Sequence, residues 1–133
     1  MIRADQLQIG DYVLVSSTPR RVESITKKKI GYHINPQTDG GLHYARLHDV
    51  EPIKVTNSLF KKVFEQGKDL NHFEFDDGIV RITFSLQTEG SCYIKVVEDF
   101  ITNAVLLENV FRDDLHLIQN ALRVTGVEID WKL

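Results

Sequence analysis

The sequence predicts an α+β protein: a small SH3-like β-barrel lobe over residues 1–55, then an antiparallel sheet packed against a C-terminal helix over residues 56–133. Three observations carry this. Residues 1–55 hold short apolar alternations cut by turn chemistry. Residues 73–96 alternate with period two around Asp77-Gly78 and Thr88-Glu89-Gly90. Residues 111–124 carry apolar side chains at helical spacing.

In the first lobe, residues 11–16 alternate around either Tyr12 and Leu14 or Val13 and Val15, and Thr18-Pro19 breaks the run. Residues 20–25, 29–34 and 42–47 follow as strands, separated by the turns Asn35-Pro36 and Asp39-Gly40-Gly41. Ile30, Tyr32 and Ile34 fall on one strand face. Residues 47–50 form one tight helical turn before a last extended stretch, 51–55. So many short strands in about fifty residues, with residues 7–13 leading in, match an SH3-like barrel by fold-level analogy.

In the second lobe Thr56 is placed to cap a short helix, because its hydroxyl accepts a free backbone N–H. Leu59, Phe60, Val63 and Phe64 make its apolar stripe, Lys61, Lys62, Glu65 and Gln66 face water, and Gly67 ends it. Asp77-Gly78 signals a two-residue hairpin, which sets Asp76 opposite Ile79, Phe75 opposite Val80, Glu74 opposite Arg81 and Phe73 opposite Ile82. A three-residue loop at Thr88-Glu89-Gly90, with Gly90 left-handed, sets Leu86 opposite Cys92, Phe84 opposite Ile94 and Ile82 opposite Val96. Phe73, Phe75, Val80, Ile82, Phe84, Ile94 and Val96 then share one apolar face. Residues 104–110 add a strand. Arg112-Asp113-Asp114 opens the main helix, with acids at its positive end. Phe111, Leu115, Ile118 and Leu122, widened by Leu117, Ala121 and Val124, form the buried stripe. His116, Gln119, Asn120 and Arg123 take the other side, Gly126 stops the helix, and residues 127–131 make a short extended tail.

With 133 residues, 42% hydrophobic and 26% charged, the composition excludes collagen, coiled coil and intrinsic disorder. The net charge of −3 argues against a dedicated, strongly basic nucleic-acid binder. That total is uneven: residues 1–55 carry eight basic against six acidic side chains, and residues 56–133 eight against thirteen. One cysteine, Cys92, allows neither an internal disulfide nor a cysteine-based zinc site. No apolar run reaches the length of a membrane helix, and residues 1–6 lack the apolar centre of a secretory signal, so the expected location is cytoplasmic with no membrane partner.

Chemistry-bearing motifs are few. His43 and His48, with Asp49, have a His–x4–His spacing, but strand alternation puts the two rings on opposite faces unless the turn intervenes. Asp76-Asp77, Glu98-Asp99 and Asp113-Asp114 are explained by turn, strand and helix-end chemistry. Cys92 with His72 or His116 would make a nucleophile and base, but the register places Cys92 mid-strand opposite Leu86, facing the core. Gly40-Gly41 lacks the context of a phosphate loop. The expectation is no enzyme, no cofactor and no metal. One functional cluster remains: Arg20, Arg21, Lys27, Lys28 and Lys29 flank a hairpin with Tyr32 and His33 beyond, so charge and a stacking surface coincide. The structural alternative is that lysines solubilise a strand edge and block edge pairing.

Three segments resemble a known family. Leu7-Gln8-Ile9-Gly10-Asp11-Tyr12-Val13 resembles an L-R-I-G-N-x-V opening. Pro52-Ile53-Lys54-Val55-Thr56 and Leu59-Phe60-Lys61-Lys62-Val63-Phe64 resemble a P-I-P-L-T strand and an L-L-K-F-G-F helix. Leu115-His116-Leu117-Ile118-Gln119-Asn120, Leu122 and Thr125-Gly126-Val127-Glu128 resemble a V-H-Q-L-Q-N-L-Y-F-A-L-T-G-E-E-L ending. These motifs are those of small uncharacterised proteins of Bacteroides-group bacteria and their prophages. The chain departs from them where Val63 and Glu65 interrupt the K-F-G-F spacing, and where Ala121, Arg123 and Val124 replace an aromatic-rich turn. The resemblance implies a cytoplasmic, mobile-element-associated protein and supplies no catalytic residues. The preferred expectation is a non-catalytic module acting through an unidentified protein partner or self-association. The alternative is a nucleic-acid-binding accessory protein that uses Arg20, Arg21, Lys27, Lys28, Lys29 and Tyr32.

Overall fold

A computed structural model describes residues 2–35, 41–66, 69–88, 90–98 and 104–133, the side chains of residues 65 and 66 excepted. It is mixed α+β, with antiparallel sheets. Contacts divide the chain into two compact units: Met1–Lys54 with Asp114–Asn120, and Val55–Asp113 with Ala121–Leu133. The segment Asp114–Asn120, which the sequence places with the second lobe, therefore counts with the first unit.

In the first unit the valines of β1 (Tyr12–Val15) turn inward and Tyr12 and Leu14 are half-buried. The chain reverses through Ser16 and Ser17, both left-handed at φ +50° and +65°, and returns as β2 (Thr18–Arg21) with Val15 opposite Thr18. Thr18-Pro19, expected to break a strand, thus opens one. Pro19 is tolerated because β2 is an edge strand. Past Arg21, Val22 still bonds the first sheet, donating to Asp11 O and accepting from Gly10 N, each at 2.8 Å. One residue later the Glu23 N–H donates to Gly31 O, and the chain enters β3 (Ser24–Ile25) of a second sheet. It continues as β4 (Lys29–Tyr32) and β5 (His43–Arg46), then a 3-10 turn (Leu47–Asp49) at the expected place, then β6 (Val50–Pro52). The sheet orders are β2-β1-β6 and β3-β4-β5, and among the described residues no ladder closes them into a barrel. β4 stops at Tyr32, so Ile34, expected on the face of Ile30, is 54% exposed. The turns expected at Asn35-Pro36 and Asp39-Gly40-Gly41 fall largely on residues 36–40, outside the described residues.

Ile2, Leu7, Val13, Val15, Val22, Ile30, Leu47 and Val50 form this unit's core. Its share of the helix α2 (Leu115–Val124) adds Leu115 and Ile118 to the buried side chains. The polar side expected for that helix is a misreading at two positions, since His116 and Gln119 are also buried. Gln119 has a backbone to satisfy: its Oε1 accepts the Tyr12 N–H at 2.9 Å and its Nε2 donates to Gly10 O at 3.3 Å. Asn120 Nδ2 likewise donates to Gln6 O at 2.8 Å. Amide side chains here replace ladder partners that the loop before β1 lacks.

In the second unit Thr56 caps α1 (Asn57–Val63) as expected, its Oγ1 accepting the Leu59 N–H at 3.1 Å. The helix is shorter than its apolar stripe predicts. Phe64 is already extended, and Glu65 and Gln66 leave the helix to form β7 (Glu65–Gln66). Packing overrides propensity here, for the extended Phe64 stacks on Phe84 with ring centroids 4.6 Å apart. The expected stop, Gly67, lies outside the described residues.

β8 (His72–Asp76), β9 (Val80–Gln87), β10 (Ser91–Glu98) and β11 (Val105–Arg112) complete a five-stranded sheet of order β11-β10-β9-β8-β7. The first hairpin differs from expectation. Asp76 pairs with Arg81, Phe75 with Ile82, Glu74 with Thr83 and Phe73 with Phe84, two residues away from the two-residue-turn register. The two aspartates widen the loop: Asp76 Oδ1 accepts the Gly78 N–H, and Asp77 Oδ1 accepts those of Ile79 and Val80, each at 2.8 Å. A shift of two preserves every side chain's face, so Phe73, Val80, Ile82, Phe84, Ile94 and Val96 are buried together, with Phe75 half-buried. The second hairpin has the expected register, with Leu86 opposite Cys92 and Gly90 at φ +70°; its Glu89 is outside the described residues.

Phe111, expected to start the helical stripe, sits in β11 opposite Cys92. Asp113 and Asp114 precede the helix, which begins at Leu115. In this unit's part of α2, Leu122 is buried and Val124, expected in the stripe, is 86% exposed. The helix ends as Gly126 (φ +82°) donates to Arg123 O and Val127 N to Leu122 O. The buried Trp131 then lies edge-on to Phe64, with its centroid 6.0 Å from that of Phe60. Among the described residues no helix is long and apolar enough to cross a membrane.

Candidate nucleic-acid interface

The basic cluster is built on the hairpin of β3 and β4. Thr26 ties its turn: the Thr26 N–H donates to Lys29 O at 2.9 Å, and its Oγ1 accepts the Lys29 N–H at 3.1 Å. That leaves Lys27 and Lys28 exposed at the tip. Lys28 O accepts the Leu47 N–H at 2.9 Å, which anchors the tip to the 3-10 turn.

Strand alternation then sorts the six candidate residues onto different surfaces. Ile30 and Tyr32 point to the core side, with Tyr32 packed partly against the core cluster. Arg20 lies over the Tyr32 ring with Cζ 5.4 Å from its centroid, and its Nη1 donates to Ile34 O at 3.3 Å. Arg21 is held by Glu23 at 2.6 Å, which cancels its charge locally. Lys29 and Gly31 take the opposite, outer face of β4, where β5 sets Arg46 across from Lys29 and Tyr44 across from Gly31.

This outer face holds a feature that sequence reading misses. Tyr44 is 54% exposed, yet its ring is seated against the strand. A Cβ built on Gly31 would come within 3.3 Å of Tyr44 Cε1, 3.2 Å of Leu42 Cδ1 and 2.3 Å of Ser24 Oγ, so the glycine makes room for this packing. Lys29 Nζ sits 4.3 Å from the centroid of that ring, within cation–π range. A seated aromatic, a cation over it and a second cation on the paired strand form one aromatic and cationic platform. Finding it requires the β4–β5 register, because ten residues separate Tyr32 from His43 and no local motif states their pairing.

Around the corner of the same hairpin lies a groove of about 450 Å³, with Lys27, Lys28, Arg46 and His48 on its rim. Arg3, also there, grips Asp5 through Nε and Nη2 at 3.0 and 2.8 Å, and this bonding holds the Asp5 carboxyl below its usual range.

Among the described residues no group of three or more histidine, cysteine, aspartate or glutamate side chains could hold a metal ion. His43 rests 6.1 Å from the Tyr32 ring, and His48 Nε2 lies 3.3 Å from Asp49 Oδ1. Asp76 and Asp77 are turn acceptors, and Asp114 pairs with Lys54. Asp99 lies outside the described residues. Cys92, the second residue of β10, is fully buried, and burial pushes its thiol up to about 12, far from a reactive thiolate. No family model matches the chain, and no curated protein or solved structure is significantly similar to it.

Proposed function

We propose that this chain is a non-catalytic binding module whose first unit holds single-stranded nucleic acid on the outer face of β4 and β5. The observation that carries this is Tyr44 seated on Gly31 with Lys29 over its ring and Arg46 alongside. On binding, a base takes the exposed ring face and Lys29 moves to the adjoining phosphate. The first unit is read as an open SH3-like arrangement. Support comes from the single stretch 18–25 that serves both sheets and from the 3-10 turn between β5 and β6. The non-catalytic reading rests on the masked thiol of Cys92 and on the structural roles of the paired carboxylates. The mobile-element setting rests on the sequence resemblance alone.

The test is fluorescence anisotropy with labelled single-stranded DNA and RNA at two salt concentrations. Aromatic stacking of a base contributes about 1–3 kcal/mol, so Tyr44→Ala weakens binding by about 5- to 150-fold. Affinity falls as salt rises. Absence of binding at low salt, or binding indifferent to Tyr44→Ala, refutes the proposal.

A second reading is favoured by one observation in the other unit. β11 is an eight-residue edge strand with Val105, Leu106 and Val110 exposed, the form of edge that accepts another strand. Asn109 Oδ1 accepts the Val110 N–H at 2.8 Å and partly closes it. Light scattering across a concentration series tests self-association, and a monomer throughout removes it.

A further inference from the structure

We infer that the groove beside the platform takes one nucleotide unit of the bound strand, its base on an apolar floor and its phosphate on the rim. This rests on the nucleic-acid reading above. The floor is Ile2, Ala4 and Leu47, whose side chains also belong to or pack on the unit's core, so the depression has a fixed base. Its volume, about 450 Å³, falls in the range of small-molecule sites.

Charge selects the occupant. Arg46 and His48 share Asp49, at 3.4 and 3.3 Å, and Arg3 is held by Asp5. Among the described residues Lys27 and Lys28 have no ion-pair partner. The rim therefore keeps two uncompensated cations above an apolar floor, which is complementary to a flat, weakly polar body bearing an anion. Position narrows this further. Arg46 lies both on the groove rim and opposite Lys29 on the platform. A strand with one base on Tyr44 thus passes its next phosphate by Arg46 and delivers its next base to the floor. A duplex does not fit this arrangement, because its bases are stacked on each other and paired.

The test uses the full chain labelled at the methyl groups of Ile2, Ala4 and Leu47 and followed by NMR. Adenosine monophosphate is expected to shift these methyls saturably, whereas adenosine or inorganic phosphate at equal concentration shifts them far less. Lys27→Glu with Lys28→Glu, two exposed changes whose fold is checked in the same spectra, weakens this response at least tenfold. Tyr44→Ala leaves it in place while weakening the oligonucleotide. If the oligonucleotide binds through Tyr44 but adenosine monophosphate leaves the methyls unmoved, the groove assignment fails and the platform stands. If no oligonucleotide binds, both fail. If an acidic peptide with a leucine moves the methyls and the nucleotide does not, the groove is a peptide site and the inference is overturned.

Discussion

His116 offers the sharpest test of the packing of the first unit. It is 1% exposed, and neither ring nitrogen has a hydrogen-bond partner among the described residues. Burial lowers its pKa; the charges of Asp114 and Asp11 oppose that shift, and Lys54 adds to it. A neutral imidazole buried this way leaves one donor and one acceptor unsatisfied, each costing about 1–3 kcal/mol. His116→Leu replaces the ring with an apolar side chain of similar size and is expected to stabilise the fold by about 1 kcal/mol at pH 7. The pH dependence follows from the same burial. The unfolded chain takes up the histidine proton near the ordinary pKa of about 6.5, whereas the folded chain does so only at lower pH. Stability from His116 is therefore present above pH ~6.5 and is lost as pH falls toward the folded value, by at most about 1.4 kcal/mol per pH unit. Urea unfolding of the wild type and His116→Leu at pH 5, 6, 7 and 8, followed by circular dichroism, measures the difference. The gain from the substitution should widen between pH 7 and pH 5. An equal gain at every pH, or a loss of more than 1 kcal/mol at pH 7, refutes the reasoning.

Two other outcomes are expected. Ser17→Gly relieves a left-handed serine, which costs about 1–2 kcal/mol, and forfeits about 0.5–1 kcal/mol of backbone entropy, so unfolding should show a net gain of about 0.5–1 kcal/mol. Cys92, buried with its thiol pushed up to about 12, should resist a thiol reagent at pH 8 in the native protein and react fully in denaturant; rapid native labelling contradicts its placement.

The second unit was the more legible because its signals are local. Period-two alternation assigned the faces of β8 to β10, and those assignments survived a wrong turn length because the real register differs by two residues. An error of one would have inverted them. What local pattern misjudged was where long-range partners intervene. Phe64 leaves α1 for a ring stack with Phe84, and Gln119, polar by rule, is buried because Tyr12 N and Gly10 O need a partner. The Ser16-Ser17 turn was invisible for a different reason: two-residue hairpins are recognised by Asn or Gly at positive φ, and serine there is rare.

The candidate site shows the same division. Lysines and arginines between residues 20 and 29 are visible as a run, but a run has no faces. Strand alternation separates Lys29 from Tyr32, and Glu23 neutralises Arg21. The platform is instead assembled from residues fifteen apart or more, Lys29 with Tyr44 and Arg46, and its enabling residue is Gly31, which contributes no chemistry at all. A β-carbon there meets Ser24 Oγ at 2.3 Å, which requires another serine rotamer, and Tyr44 Cε1 at 3.3 Å, which requires the ring to give way slightly. A solvated lysine edge makes no such demand, since exposed lysines need no glycine beneath an aromatic. The packing of the Tyr44 ring on Gly31 is thus the feature that favours the proposed platform over an edge that is merely charged.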